Sequence, residues 1–491
     1  MKYNDARMNS TSLKCVEHIL IGVGFLILFT ASTYKLSASP AIWYDEGYYT
    51  QAAMNICQTG HQVLQVAPNS YVPTTYVVTT GYPLLLPVSV SYCIFGIGVT
   101  QGRAVMVLFI IALASAVFFL VRLLYGTATA GWSVLLLATF PMLYGNGKSV
   151  LGEVPGLFYL AAALLALLKL ERSGWKQTHR YVLVGILAGL CAATKPIFLL
   201  FPAAIVLAFI FRYHSIDYDR SGVFAGVVAF SIPLVVWFII QFDSNFSVAG
   251  LLAAYANPYE VSNMGLLIVT NAKRFFTETT PLVTLLLVTC WGISISINDK
   301  LRKVSLVELT AFIFTFLILI NYLRIEGWYR YFFPGTILAL VFFPASIFSI
   351  YEAVSLHRSV PRWVSWLPIA VLLSVSLCFV YQTMFSSYVA DYYRSTKVPD
   401  LISTFDSIPT KARVFMYDVP ELAILLPRNQ YYQYLHPHPS LEIGKQELIV
   451  LAKGLVDYVI VTADTYSQDQ KKFSYYVEYK HVNRYIILRH R

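Results

Sequence analysis

The chain has 491 residues, 57% of them AVILMFWYC and only 13% charged, with a mean hydropathy of +0.61. Soluble domains carry about 25% charged residues, so composition excludes a soluble enzyme and points to a polytopic membrane protein. The formal charge of +10 does not indicate nucleic acid, because Lys and Arg fall mostly in short loops and in the tail, where they set membrane orientation.

In chain order, the apolar runs predict spanning helices at approximately 17–34, 103–124, 128–146, 155–170, 181–194, 197–211, 222–242, 281–297, 305–323, 332–351 and 364–385. "SASPA" after the first run has the small residues of a signal-peptide cleavage site, but that run completes the bundle and is read as a retained span. Residues 82–98, "YPLLLPVSVSYCIFGIG", are also apolar, and loop charge decides their role. If they do not cross, 15 Lys and Arg residues lie in cytoplasmic loops against eight in the loops opposite. If they cross, "KLERSGWKQTHR" and most later basic loops move outside. The segment is therefore read as a helix lying at, or dipping into, the outer face. Eleven spans follow, with the N-terminus inside and the C-terminus outside.

The runs 181–194 and 197–211 are short for a hydrocarbon core of about 30 Å. They meet at Lys195-Pro196, so this hairpin tip is expected to sink below the outer headgroups. Outer loops are expected at 35–102 and 243–280. Residues 1–385 form the membrane domain. Residues 386–491 have ordinary composition and predict a small α/β domain, with strands at 413–419, 456–463 and 484–490 and helices at 420–426 and 444–454.

The same topology gathers Asp45, Glu46, Glu153, Lys195, Arg324, Glu326 and Arg330 on one side, and charges at a membrane bundle mark a site. In "IWYDEGYYTQAAMNI" (42–56), Asp45 and Tyr49 are four apart and share a helix face. Asp45 is a candidate general base; an acid capping an interfacial helix is the plainer alternative. Glu153 lies in a glycine- and proline-flanked turn, "GKSVLGEVPG". "NYLRIEGWYRYFFP" (321–334) holds Arg324, Arg330 and Tyr331 and reads either as an aromatic belt or as an arginine clamp for phosphate. "GNGKS" (145–149) is no P-loop, because Met142 stands where its first Gly belongs. "LHPHP" (435–439) reads as a Pro-rich turn rather than a metal site. The six cysteines show no CxxC spacing and lie mostly in apolar runs, so neither a disulfide framework nor a zinc site is expected.

These stretches, in this order, resemble the GT-C superfamily of membrane glycosyltransferases, nearest to the dolichyl-phosphate-mannose–protein mannosyltransferases and the bacterial lipid A aminoarabinose transferases. The resemblance rests on the Asp-Glu pair after the first span, then "GYPLLLPVSVSYCIFGIG", "GRAVMVLF", "GEVPGLFYLAAALLALLKL", "GILAGLCAATKP" and "YRYFFPGTILAL", and covers roughly residues 15–350. It implies an outer-face site, a polyprenyl-phosphate sugar donor and a lipid, glycan or protein acceptor. Asp45, Glu46 and Glu153 would be its catalytic residues, with Lys195 and Arg330 at the donor phosphate and Arg324, Tyr331, Tyr49 and Tyr82 beside them. Gly81-Tyr82 stands where the aminoarabinose enzymes have Glu-Lys, so neither their metal site nor their sugar is implied. No cofactor is expected, with a divalent metal left open. An inverting single displacement in a bacterial inner membrane, facing the periplasm, is the reading. A transporter for lipid-linked sugars and an oligosaccharyltransferase or polymer ligase are its rivals.

Overall fold

The computed structural model describes residues 10–75, 77, 79–212, 218–242, 257, 260–301, 304–357, 361–426, 431–438 and 441–491. Much of the expected outer loop 243–280 falls outside these. The chain is mostly helical. Helix α1 (Ser10–Thr33) leads to α2 (Tyr44–Thr59), the hairpin β1 (Val63–Ala67) and β2 (Ser70–Pro73), and α3 (Tyr82–Phe95). The bundle continues through α4 (Val99–Tyr125), α5 (Thr127–Thr139), α6 (Pro141–Gly147), α7 (Glu153–Arg172), α8 (Thr178–Thr194), α9 (Leu200–Arg212) and α10 (Arg220–Gln241). Then come α11 (Met264–Thr277), α12 (Thr279–Leu301), α13 (Leu306–Leu323), α14 (Phe333–His357) and α15 (Leu367–Tyr381).

Among the described residues, seven helices are long and apolar enough to cross a membrane. The expected span 128–146 is broken: α5 and α6 meet at 61°. Pro141 is the cause, since it disfavours helical backbone at Phe140, which is extended with ψ 115. The ends of α3 are both tied to one end of the bundle. Gly81 N–H donates to Thr194 O at the close of α8 (3.0 Å), and Ser91 Oγ donates to Gln101 O at the start of α4 (3.0 Å). Leu86, Val90 and Ile94 are exposed at helical spacing, as on a helix lying along an apolar surface. Helices α8 and α10 pack through glycines. A Cβ at Gly185 would stand 2.1 Å from Gly226 O, so only Gly permits this approach.

Short helices α16 (Tyr388–Arg394) and α17 (Lys397–Asp406) lead to a six-stranded sheet, ordered β5-β4-β3-β6-β8-β7. Its strands are β3 (Val414–Tyr417), β4 (Tyr431–His438), β5 (Leu441–Ile443), β6 (Tyr458–Thr462), β7 (Tyr476–Val482) and β8 (Tyr485–His490). The centre is parallel, with β3 between β4 and β6, and the outer pairings are antiparallel. Side chains alternate faces along a strand, and both faces are buried. Val414 and Met416 join the bundle's apolar core, whereas Phe415 and Tyr417 pack on the far side. The expected turn at 435–439 is strand up to His438, because β4 pairs with both β3 and β5. Cysteine pairing also departs from expectation: Cys57 at the end of α2 and Cys93 in α3 form a disulfide, with Cα atoms 5.6 Å apart. Folding α3 back along α2 creates a proximity that spacing of 36 residues does not announce.

Candidate active site

Three carboxylates and three cations meet at one end of the bundle, and they differ sharply in accessibility. Glu46, in the first turn of α2, is 1% exposed and fully engaged. Its Oε1 accepts from Arg103 Nε (3.0 Å) and Val150 N (3.1 Å), its Oε2 from Arg103 Nη2 (2.9 Å) and Trp43 N (3.2 Å). Arg103, at the start of α4 and 0% exposed, also donates to the carbonyls of Leu36, Pro40 and Ala41. All its donors are used. Glu46 therefore fixes the entry to α2 and is not free to react.

Asp45, one residue earlier, points elsewhere. Its Oδ2 pairs with Arg330 Nη2 at 2.5 Å, and the side chain keeps 28% of its surface open. Arg330 lies over the Tyr331 ring, 5.2 Å from its centroid, and donates to the Tyr331 hydroxyl (3.3 Å). Glu153 opens α7 and is 1% exposed; its Oε1 pairs with Lys195 Nζ at 2.5 Å. Glu153 Oε2 and Thr80 Oγ1 are buried without hydrogen-bond partners among the described residues. A Cβ at Gly152 would lie 2.9 Å from Thr80 Oγ1 and 3.3 Å from Lys195 Cβ, so Thr80 and Lys195 crowd the turn before Glu153.

Tyr49 joins the two pairs. It is 2% exposed, shares a hydrogen bond with Thr79 (2.8 Å), and lies within electrostatic reach of Asp45, Arg330 and Glu153. Burial first, then the Asp45 carboxylate, pushes its phenol well above the ordinary tyrosine range, so it stays a donor. Tyr82 begins α3, one residue after the Gly81 N–H that donates to Thr194 O, and makes no hydrogen bond to this group among the described residues. Arg324 is exposed and makes no ion pair among them. Sequence reading placed Arg103 among the loop charges; its partner Glu46 lies 57 residues away, which no local pattern encodes.

The tail domain reaches α2 directly. A Cβ at Gly47 would be 2.3 Å from Glu421 N and 2.4 Å from Pro420 C, so the chain after β3 lies against the helix. Tyr48 OH donates to Tyr44 OH (2.9 Å), which donates to Asp418 Oδ1 (2.6 Å). Gln433 Nε2 donates to Gln51 Oε1 at 2.9 Å.

No group of three or more His, Cys, Asp or Glu that could hold a metal ion occurs among the described residues. The residues also fit a divalent metal poorly, since Asp45, Glu46 and Glu153 each face a cationic side chain.

Residues 85–240 match the dolichyl-phosphate-mannose-protein mannosyltransferase family. No curated protein matches the chain by sequence. The fold is similar to ArnT from Cupriavidus metallidurans bound to undecaprenyl phosphate, at 12% identity over 98% of both chains with a TM-score of 0.62. It is also similar to the Archaeoglobus fulgidus oligosaccharyltransferase in complex with Zn and sulfate, at 14% identity and a TM-score of 0.58, covering 94% of this chain and 71% of that one. The family match covers about a third of the chain, and the solved structures share its fold.

Proposed function

We propose that the chain transfers a sugar from a polyprenyl-phosphate carrier to an acceptor hydroxyl at the outer face of the membrane, with Asp45 as general base. One observation carries the assignment: of the three carboxylates gathered here, Asp45 alone is open, whereas Glu46 and Glu153 are 1% exposed. The acceptor oxygen attacks the anomeric carbon as its proton passes to Asp45, and the bond from that carbon to the phosphate oxygen breaks. The departing lipid phosphate gathers charge, which Arg330 and Lys195 are placed to balance. Arg330 at rest is paired with Asp45; an arriving phosphate competes for Arg330 and releases the base toward the acceptor. A single displacement inverts the anomeric centre. Glu46 holds α2 in place and Glu153 holds Lys195, so both are positioning residues.

The basic loops at the opposite end of the bundle support the outer placement. There Arg212 Nη2 donates to Val304 O (3.2 Å) and Ser305 Oγ to Glu171 Oε2 (2.7 Å), beside Arg172 and Arg180. We propose a bacterial inner membrane as its location; the charge rule speaks only for the side the site faces. The likeness to an oligosaccharyltransferase favours a second reading, in which the donor carries a longer glycan.

The test uses the full chain in lipid with polyprenyl-phosphate and polyprenyl-pyrophosphate donors bearing one to seven sugars. Transfer is expected from monosaccharide donors, and Asp45→Asn should lower kcat by about 10²–10⁴-fold. Undiminished transfer by that variant removes Asp45 as base. Preference for long donors supports the oligosaccharide reading, and passage of donor across vesicles without transfer supports a transporter.

A further inference from the structure

Beside Asp45 and Arg330 stands a group of aromatic rings that the transfer chemistry does not use. Trp43 precedes Asp45 by two residues and Trp328 precedes Arg330 by two. Their rings meet edge to face, with centroids 6.3 Å apart and planes at 83°. Tyr388, at the start of α16, lies 5.8 Å from Trp43, and Tyr392 stands 5.0 Å beyond it. Three segments more than 50 residues apart thus build one aromatic corner. Trp328 is 50% and Tyr388 43% exposed, while Trp43 is half-buried behind them.

We propose that this corner is a pyranose-binding subsite. A pyranose ring presents an apolar face of C–H groups and a rim of hydroxyls, and indole and phenol rings match both needs. They offer a flat apolar surface with few rotors to freeze, and a polar edge. The exposed rings of Trp328 and Tyr388 supply that surface, each packed against Trp43 behind them. Position gives the subsite its role: a ring seated on Trp328 lies next to the accessible carboxylate and its arginine. The sugar is either a saccharide acceptor awaiting deprotonation or the sugar of the donor. A plain membrane-interface belt would also place Trp and Tyr at this level, but it requires no contact between them and no proximity to Asp45.

The inference concerns the site proposed above, and its first test is independent of turnover. Saturation-transfer NMR on the detergent-solubilised full chain would use maltotriose and chitotriose as probes, with sorbitol as a ringless control. Ring-specific signals are expected for wild type, weakened at least fivefold by Trp328→Ala and only partly by Trp328→Phe. Phe224→Ala, which alters a side chain 71% exposed on α10, should leave them unchanged. Thermal unfolding checks that each variant is folded. No trisaccharide signal above sorbitol, or equal signals from wild type and a folded Trp328→Ala, overturns the subsite. In the transfer assay, a raised acceptor KM for Trp328→Ala assigns the corner to the acceptor sugar. A raised donor KM assigns it to the donor, and two unchanged constants overturn it. Should wild type bind trisaccharide yet transfer nothing, the transfer reading fails and the subsite stands.

Discussion

Arg103 illustrates how one side chain can anchor a neighbourhood it never reacts in. Its guanidinium ties the loop after α1, the first turn of α2 and the start of α4 together through Glu46. Removing one partner of a buried pair leaves an uncompensated charge, at about 3–5 kcal/mol. Arg103→Gln should therefore lower the unfolding temperature sharply, and Arg103→Gln with Glu46→Gln should recover part of the loss; equal losses would show that the pair is not coupled. Lys148 makes a second prediction. It is 0% exposed, donates to Tyr34 O (2.7 Å) and lies over Tyr393, and burial, then nearby Arg103, lowers its pKa to about 7. The folded state sheds this proton near pH 7, whereas the unfolded chain keeps it until about 10.5. Unfolded protein thus binds more protons between those values, and stability rises with pH across the window. From pH 7 to 9 the contribution is about 2 kcal/mol. Lys148→Met should flatten the rise in unfolding temperature over that range.

At the scale of elements, α2 is the piece on which the site depends. Its sequence, "YDEGYYTQ", reads locally as an interfacial helix with an acid at its start; the structure has the helix, with Asp45 and Glu46 in its first turn and residues 46–55 buried. Gly47 carries the part that local reading misses. Without a Cβ it lets the backbone at 420–421 approach, and overpacking such a contact costs about 1–3 kcal/mol. Gly47→Ala should reduce transfer and loosen the tail domain, seen as faster proteolysis after residue 386. Unchanged proteolysis would show that the contact bears no weight. Seven of the expected spans, the helices that flank Lys195 and three strands of the tail domain were legible because periodic hydrophobicity and β-branched runs are local signals. Strands β4 and β7 were not. "YYQYLHPH" carries prolyl and polar residues, and "YVEYKHV" is an edge strand whose middle is exposed, so pairing alone makes each a strand. Cys57–Cys93 and Glu46–Arg103 escaped for the same reason, since each partner is chosen by tertiary proximity.

For the whole molecule, sidedness is the property that ties fold to chemistry. Every charged member of the site lies at one end and the basic loops lie at the other, so orientation can be tested without activity. A cysteine placed at Ser173 should react with an impermeant maleimide only after the membrane is opened, and one at Ser467 should react in intact cells. The reverse pattern would turn the molecule over and place the site in the cytoplasm. The sheet is not a detachable module, because Val414, Met416, Tyr458, Ile460 and Ile487 belong to the same apolar core as the bundle. Sequence composition suggested a boundary near 386, and the apolar core runs across it.

The bond from Tyr44 to Asp418 spans 374 residues, and that from Gln51 to Gln433 spans 382. During synthesis, the helix bearing Asp45 is made among the first segments and waits for nearly the entire chain before these two bonds can form. A chain cut short before residue 418 would lack both bonds, and α2 would stand without this brace.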